Sequence, residues 1–275
     1  MTSALDTWRG RLEARAIPQP ILDAAPVSPW RFPPELFRRR AEHAAGRATP
    51  TSERASEALP RGGTVLDVGC GGGATSARLA GRASTITGVD PSVGMLGAFA
   101  ETVRAGGSTP VTVEGTWPDV ADRAPAADVV VCGHVLYNVQ DLAPFVEALT
   151  THARRRVVVE LTERHPLAWM NDLWERFHGV RFPDGPSADD AVAALEALGI
   201  EAAREDRIDD DDGRAGGFDR RQDAVTIVRM RLCLREEDDG RIADALGDRL
   251  REHDGTWSAG PLVQPVVTLW WPGAA

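Results

Sequence analysis

The residues with the clearest chemical potential sit in one short run, Asp67-Val68-Gly69-Cys70-Gly71-Gly72-Gly73. Thr64–Val68 has the apolar, β-branched character of a buried strand, and Ala74–Ala80 behind the glycines has helical composition. Glycines at such a junction permit a sharp turn and let backbone N–H groups approach a ligand with no Cβ in the way. The helix N-terminus behind them favours a negative group. About twenty residues further on, a second strand closes on Gly88-Val89-Asp90-Pro91-Ser92, where a carboxylate is suited to accept both hydroxyls of a ribose. The two motifs together imply a nucleotide-like ligand at a strand–helix junction. One residue separates the second and third glycines, whereas the dinucleotide fingerprint leaves two, which disfavours a nicotinamide-dependent oxidoreductase.

Candidates for proton chemistry follow later strands. His134 and Tyr137 come after Asp128–Cys132, and Glu160, Glu163 and His165 end or follow Arg156–Leu161. His134 is the candidate base because an imidazole titrates nearest neutrality; the competing reading is that it packs or hydrogen-bonds beside the ligand. Tyr137, the single tyrosine of the chain, could orient a substrate or close over the site. Cys70, Cys132 and Cys233 are too few and too scattered for a disulfide or metal framework. The run Asp209–Asp212 reads as a solvated turn, since consecutive loop side chains rarely converge on one ion. No metal is expected.

Gly69-Cys70-Gly71-Gly72-Gly73 after Leu66-Asp67 closely resembles the first motif of class I (Rossmann-like) S-adenosylmethionine-dependent methyltransferases. Asp90-Pro91-Ser92-x-x-Met95-Leu96 resembles their second, and the likeness continues in order over Thr64–Leu161. The resemblance implies S-adenosyl-L-methionine as cofactor. Gly69 and Gly71, with Cys70 between them, would meet its aminoacyl end through backbone. Asp67 would help hold the ammonium, Asp90 the ribose hydroxyls, and Pro91 and Met95 would flank the adenine. Gly115-Thr116-Trp117 departs from the family pattern, because Thr116 stands where an aspartate commonly accepts the adenine amino group. The Thr116 hydroxyl, Trp117, a backbone carbonyl or Asp119 would then serve there. Cys132-Gly133-His134-Val135-Leu136-Tyr137 matches the segment whose backbone passes beside the methionine portion, which implies cofactor contacts from Cys132 and Gly133. The implied reaction moves a methyl group to an oxygen or nitrogen of a small molecule by in-line displacement. The alternative is a cofactor-binding sensor or partner subunit that has lost transfer.

These motifs need an α/β frame. Thr64–Val68, Thr85–Val89, Val111–Glu114, Asp128–Cys132 and Arg156–Leu161 read as strands, alternating with helices at Ala74–Ala80, Val93–Ala105 and Leu142–Thr151. Such alternation means a mostly parallel sheet with helices on both faces. Asp189–Leu198 reads as a helix, Ile200–Arg204 as a sixth strand, Arg220–Leu232 and Glu236–Arg251 as helices. Val266–Trp271 reads as a seventh strand, antiparallel beside the fifth. Residues 1–60, with helices at Leu5–Arg15, Pro34–Ala45 and Thr51–Leu59, are expected to form an N-terminal helical cap; Thr51 or Ser52 would cap the third. Residues 61–275 would be the methyltransferase domain, with a helical insertion at about 219–252. Trp8, Trp30, Phe32, Phe37, Trp169, Trp174 and Phe177 are candidates for an apolar acceptor wall or for core.

A net charge of −10 argues against a broad nucleic-acid-binding face and favours a small-molecule partner. No apolar run is long enough for a signal peptide or a membrane span, so a cytoplasmic protein is expected.

Overall fold

The computed structural model describes residues 3–30, 48–209, 217–261 and 263–274. Strands β1 (Thr64–Val68), β2 (Thr85–Asp90), β3 (Thr109–Glu114), β4 (Ala127–Gly133) and β5 (Ala153–Thr162) pair in parallel in the order β3-β2-β1-β4-β5. β6 (Ala203–Asp209) and β9 (Gln264–Pro272) complete a seven-stranded sheet, with β9 antiparallel to both β5 and β6. The expected Rossmann-like topology, including its antiparallel last strand, is therefore present. Strand order reverses between β1 and β4, and in open sheets the crevice at the carboxyl ends there is where ligands bind.

Alternation along each strand sorts side chains onto two faces. Leu66, Val68, Val130, Cys132, Val157 and Val159 face one core; Val65, Val129, Val131 and Val158 face the other. The second core is closed by α3 (Pro50–Ala58) and α5 (Val93–Ala105), with Phe99 fully buried. The first is closed by α6 (Leu142–His152), α8 (Ala188–Ala197) and α1 (Ala4–Glu13), whose Trp8 is fully buried. Burial of aromatics of this size contributes roughly 1.5–3 kcal/mol each. The Trp8 indole N–H also donates to the Val139 carbonyl at 2.8 Å, which ties α1 to the segment after β4.

A third apolar cluster stands apart from both. It gathers Leu173 and Trp174 of α7 (Asn171–His178), Val225 and Val228 of α9 (Arg221–Arg231), and Ile242 of α10 (Asp239–Leu246). Ile21 and Leu22 of α2 (Gln19–Ala24) pack on it. Its chain leaves the sheet after β5 and after β6, strands that run in the same direction as β1, so it is joined to the end that carries the glycine turn.

Several expectations are corrected. Among the described residues of the expected N-terminal cap, α1 packs on α8, α2 on the third cluster, and α3 on the sheet. α3 is capped by Thr49, whose hydroxyl accepts the Ser52 N–H at 3.2 Å while the Ser52 hydroxyl accepts the Thr49 N–H at 2.9 Å. Thr51 is thereby free for another role. The helix after the glycine turn, α4, is short, Ala74–Ala77, and the sixth strand starts later than expected, at Ala203. The helix expected over Glu236–Arg251 stops at Leu246. Gly247 there takes φ 51°, and the chain turns into a hairpin of β7 (Leu250–His253) and β8 (Thr256–Ala259). Arg249, in a forked ion pair with both Asp172 oxygens at 2.8 Å, fixes the turn on α7. The inserted segment is thus helix and hairpin, not helix alone. The expected helix at Pro34–Ala45, with Phe37 and Arg38–Arg40, lies outside the described residues, as do Phe32 and Asp210–Asp212.

Candidate functional site

Gly69, Gly71 and Gly73 take φ of 69°, 49° and 86°, a region costly for any residue bearing a Cβ. The Gly69 and Cys70 N–H groups both donate to the Val89 carbonyl, at 2.8 and 3.1 Å, folding the turn onto the end of β2. A Cβ on Gly69 would lie 2.4 Å from Val135 Cγ2, and one on Gly133 2.6 Å from Thr75 Oγ1. The turn after β1 and the segment after β4 therefore fit against each other with no room for a methyl group.

Two carboxylates border this cradle. Asp90 at the end of β2 accepts the Gly71 N–H at 3.0 Å through one oxygen and the Ser92 N–H at 2.9 Å through the other. Burial raises its pKa, and these two N–H groups oppose the rise. Each oxygen keeps a lone pair for a further donor. Asp67 is buried within β1 and accepts the Ser76 hydroxyl at 2.5 Å. Burial lifts its pKa to about 7, with the Ser76 hydroxyl opposing and the Asp90 charge reinforcing. Neither carboxylate has an ion-pair partner among the described residues.

Around this pair, Pro91 is exposed and Met95 is buried at the start of α5, where the Ser92 side chain accepts its N–H at 3.4 Å. Cys70 and Cys132 are buried in the two cores, and burial pushes both thiols up, so neither is a nucleophile. Gly115 has φ 145°, and a Cβ there would stand 2.2 Å from Val120 Cγ1. Thr116 is exposed. The Trp117 side chain instead points into the core: its indole N–H donates to the Phe145 carbonyl at 3.3 Å and its ring meets His152 edge-on at 4.9 Å. The Trp117 ring is thereby committed to the core and leaves only its backbone for the expected cofactor contact.

Beyond β4 a polar network begins. His134 takes φ 60°, and its backbone N–H donates to the Glu160 carbonyl at 2.7 Å. Its Nε2 lies 3.1 Å from Glu160 Oε1 and its Nδ1 2.8 Å from the Tyr137 hydroxyl. The Tyr137 oxygen accepts the Thr162 N–H at 2.8 Å. Glu160, buried, accepts the Thr51 hydroxyl at 2.5 Å, and Thr51 lies 2.8 Å from the Thr268 hydroxyl. Arg207 approaches Glu160 at 3.7 Å. Desolvation opposes charge on His134, but the Tyr137 oxygen and the Glu160 carboxylate outweigh it and raise its pKa to about 10. Burial alone would raise Glu160; His134, Thr51 and Arg207 instead hold it down, at about 2. Both ring nitrogens are engaged, Nε2 by Glu160 and Nδ1 by Tyr137, so the imidazole is fixed in place beside the segment after β4.

The sequence brought forward Asp67, His134, Tyr137 and Glu160, but not Ser76, which bonds Asp67, nor the bonds that Thr51, Thr162 and Thr268 make in the network around Glu160 and Tyr137. Ser76 had one available signal, its place in the first turns behind the glycines. Thr51 and Thr268 had none, because they meet Glu160 only through the packing of α3 and β9.

A family model of the methyltransferase domain matches residues 38–197. The chain belongs to that family. It is a class I S-adenosylmethionine-dependent methyltransferase family. A ubiquinone biosynthesis O-methyltransferase of Paraburkholderia phytofirmans is 40% identical over 91 residues, 33% of this chain and 39% of that protein. The chain spans less than half the length of the curated relatives it matches. Among solved structures, a proposed methyltransferase from Bacillus halodurans superposes with TM-score 0.52 at 13% identity, covering 83% of this chain and all of that one. A methyltransferase of Thiobacillus denitrificans in complex with S-adenosylhomocysteine gives TM-score 0.50 at 16% identity, covering 86% and 98%. These likenesses concern the fold.

The methyltransferase cradle fits this family's cofactor on its own geometry. The turn closes on Val135 only because Gly69 lacks a Cβ, Gly71 keeps a positive φ of 49°, and the lining offers an acceptor for hydroxyls at Asp90 and a buried carboxylate without an ion-pair partner among the described residues at Asp67. Among the described residues no helix is long and apolar enough to cross a membrane, and no cluster of side chains is suited to a metal.

Proposed function

We propose that this chain transfers a methyl group from S-adenosylmethionine to an oxygen or nitrogen of a small molecule. The reading rests above all on the close fit of the Gly69–Gly73 turn, with Asp90 beside it, against the Cys132–Tyr137 segment across the β1–β4 switch point. When bound, the cofactor supplies a methyl made electrophilic by its sulfonium. Asp90 accepts the ribose hydroxyls, and the Gly69–Cys70–Gly71 backbone lies along the aminoacyl end. Asp67 answers the ammonium, directly or through water. Pro91 and Met95 flank the adenine, and the Gly115–Thr116–Trp117 backbone borders its edge. Cys132 and Gly133 present backbone to the methionine portion.

Displacement at a methyl requires the acceptor held at about 3 Å in line, and most of the acceleration can come from that placement. A base is needed only where the acceptor keeps a proton it does not readily lose. His134, Tyr137 and Glu160 then act together: the ion pair and the Tyr137 hydroxyl lock the segment that forms one wall of the acceptor space.

Calorimetry tests the cofactor reading. S-Adenosylhomocysteine should bind in the micromolar range and NAD should not; the reverse would sink it. Release of S-adenosylhomocysteine with any member of a phenol, amine and carboxylic-acid panel establishes transfer. Binding without release across the panel would favour a sensor or partner subunit.

A further inference from the structure

Arg15, just past α1, is a partly buried guanidinium without an acid. Its NH1 group donates to Asn171 Oδ1 at 3.0 Å and to the Pro183 carbonyl, both neutral, and the group lies 5.5 Å from the Phe182 ring centroid. Its Nε is buried with no hydrogen-bond partner. Among the described residues no carboxylate pairs with it, and Asp184 acts only at longer range. Burial pulls its pKa down to about 10, against the pull of Asp184. A desolvated cation balanced by neutral acceptors is costly unless an anion completes it.

His165 stands next to it. Its Nδ1 accepts the Leu167 N–H at 3.2 Å, which leaves the proton on Nε2. Burial, and then the Arg15 charge, lower its pKa to about 3, so the ring is neutral and adds no charge of its own. The two side chains meet over Gly185: a Cβ there would lie 2.5 Å from Arg15 Cδ and 3.0 Å from His165 Cβ. The His165 ring in turn stands edge-on to Tyr137 at 5.8 Å. Tyr137, His165 and Arg15 thus form a row leading away from the segment after β4.

We propose that Arg15 and His165 recognise a carboxylate on the methyl acceptor, Arg15 supplying the charge and His165 Nε2–H a second donor. The inference rests on the methyltransferase reading. A tether between the start of the chain and the Pro183–Gly185 loop would need only the NH1 bonds, and would not need a charged group with an unsatisfied Nε. In a chain with a surplus of ten acids, leaving this guanidinium without one keeps its charge for a ligand. Its planar fork matches a carboxylate, and a neutral neighbour donates without repelling it.

The test is calorimetry of the full chain saturated with S-adenosylhomocysteine, using matched aromatic pairs: benzoate and benzamide, 4-hydroxybenzoate and its amide, phenylacetate and its amide, 2-naphthoate and its amide. At least one carboxylate should bind about tenfold or more tighter than its amide, the size of one charge-assisted contact. Arg15→Gln should erase that preference, Arg15→Lys should keep part of it, and both should retain wild-type affinity for S-adenosylhomocysteine. His165→Phe should reduce the preference a few-fold, and it decides the matter if Arg15→Gln does not fold. No preference in any pair overturns the proposal, as does a preference that survives Arg15→Gln or is untouched in His165→Phe. Failure of the wild type to bind S-adenosylhomocysteine strikes instead at the methyltransferase reading, and the pairs are then compared without it.

Discussion

At the ends of β1, β2 and β3 the site is built from backbone. Three glycines at positive φ, two N–H groups held by Asp90 and a Val89 carbonyl that takes two donors define it, and all of them fall within 26 residues of chain, Asp67 to Ser92. After β4 and β5 the site is built from side chains. Thr51, His134, Tyr137, Glu160, Thr162 and Thr268 come from four separate stretches, and each depends on the others for a partner. A backbone cradle can serve a ligand whose shape never changes. A side-chain network can be altered one residue at a time, which suits the half proposed to meet an acceptor.

Asp90→Ala should have the largest effect. It removes the proposed ribose contacts and frees the Gly71 N–H, so S-adenosylhomocysteine affinity should fall about a hundredfold, or roughly 2.7 kcal/mol. Calorimetry giving unchanged affinity would move the cofactor off the backbone half altogether. Gly69→Ala meets both the 2.4 Å approach of Val135 and a positive φ, and should cost about 2 kcal/mol in urea unfolding. The double variant with Val135→Ala should recover the steric part and leave the conformational part. Full recovery would mean that the turn tolerates a Cβ and is less backbone-determined than described.

Tyr137→Phe leaves the buried Thr162 N–H without an acceptor, at about 1 kcal/mol in stability. Its effect on S-adenosylhomocysteine affinity should be small, which separates the two halves; equal losses in both would join them. The smallest effects are electrostatic. The raised pKa of His134 contributes stability that is fully present below its unfolded value near 6.5 and is lost as pH rises through about 10. The depressed pKa of Glu160 contributes stability present above its unfolded value near 4.5 and lost as pH falls toward 2. Thermal unfolding of Glu160→Gln should therefore show a flatter profile in both windows than wild type. A parallel profile would mean that the pair adds no pH-dependent stability. Cofactor binding near pH 7 should also release a fraction of a proton from Asp67, because an ammonium nearby lowers its raised pKa. Calorimetry in buffers of different ionisation enthalpy measures this, and Asp67→Asn should abolish it.

The sequence specifies the structure most fully where interactions are local. β1 is found at the expected residues, α5 likewise, and β9 lies antiparallel beside β5. It specifies less where a long-range partner chooses the outcome. Thr49 caps α3 through its reciprocal bonds with Ser52, and Thr51, already inside the helix, meets Glu160 instead. Arg249, paired with Asp172, and Gly247 turn an expected helix into a hairpin. Trp117 is among the expected cofactor contacts, yet its ring belongs to the core under α6.

Sequence alone determined the strand–glycine–helix junction and the acid at the end of β2, since φ preference and hydrophobic periodicity act over a few residues. The tertiary structure alone decided that His134 meets Glu160 and Tyr137 through its two ring nitrogens, that Glu160 is held by a hydroxyl from α3, and that Arg15 meets His165 over Gly185. Burial and partner distance set charge and protonation there, and those arise only when distant segments of chain are packed together.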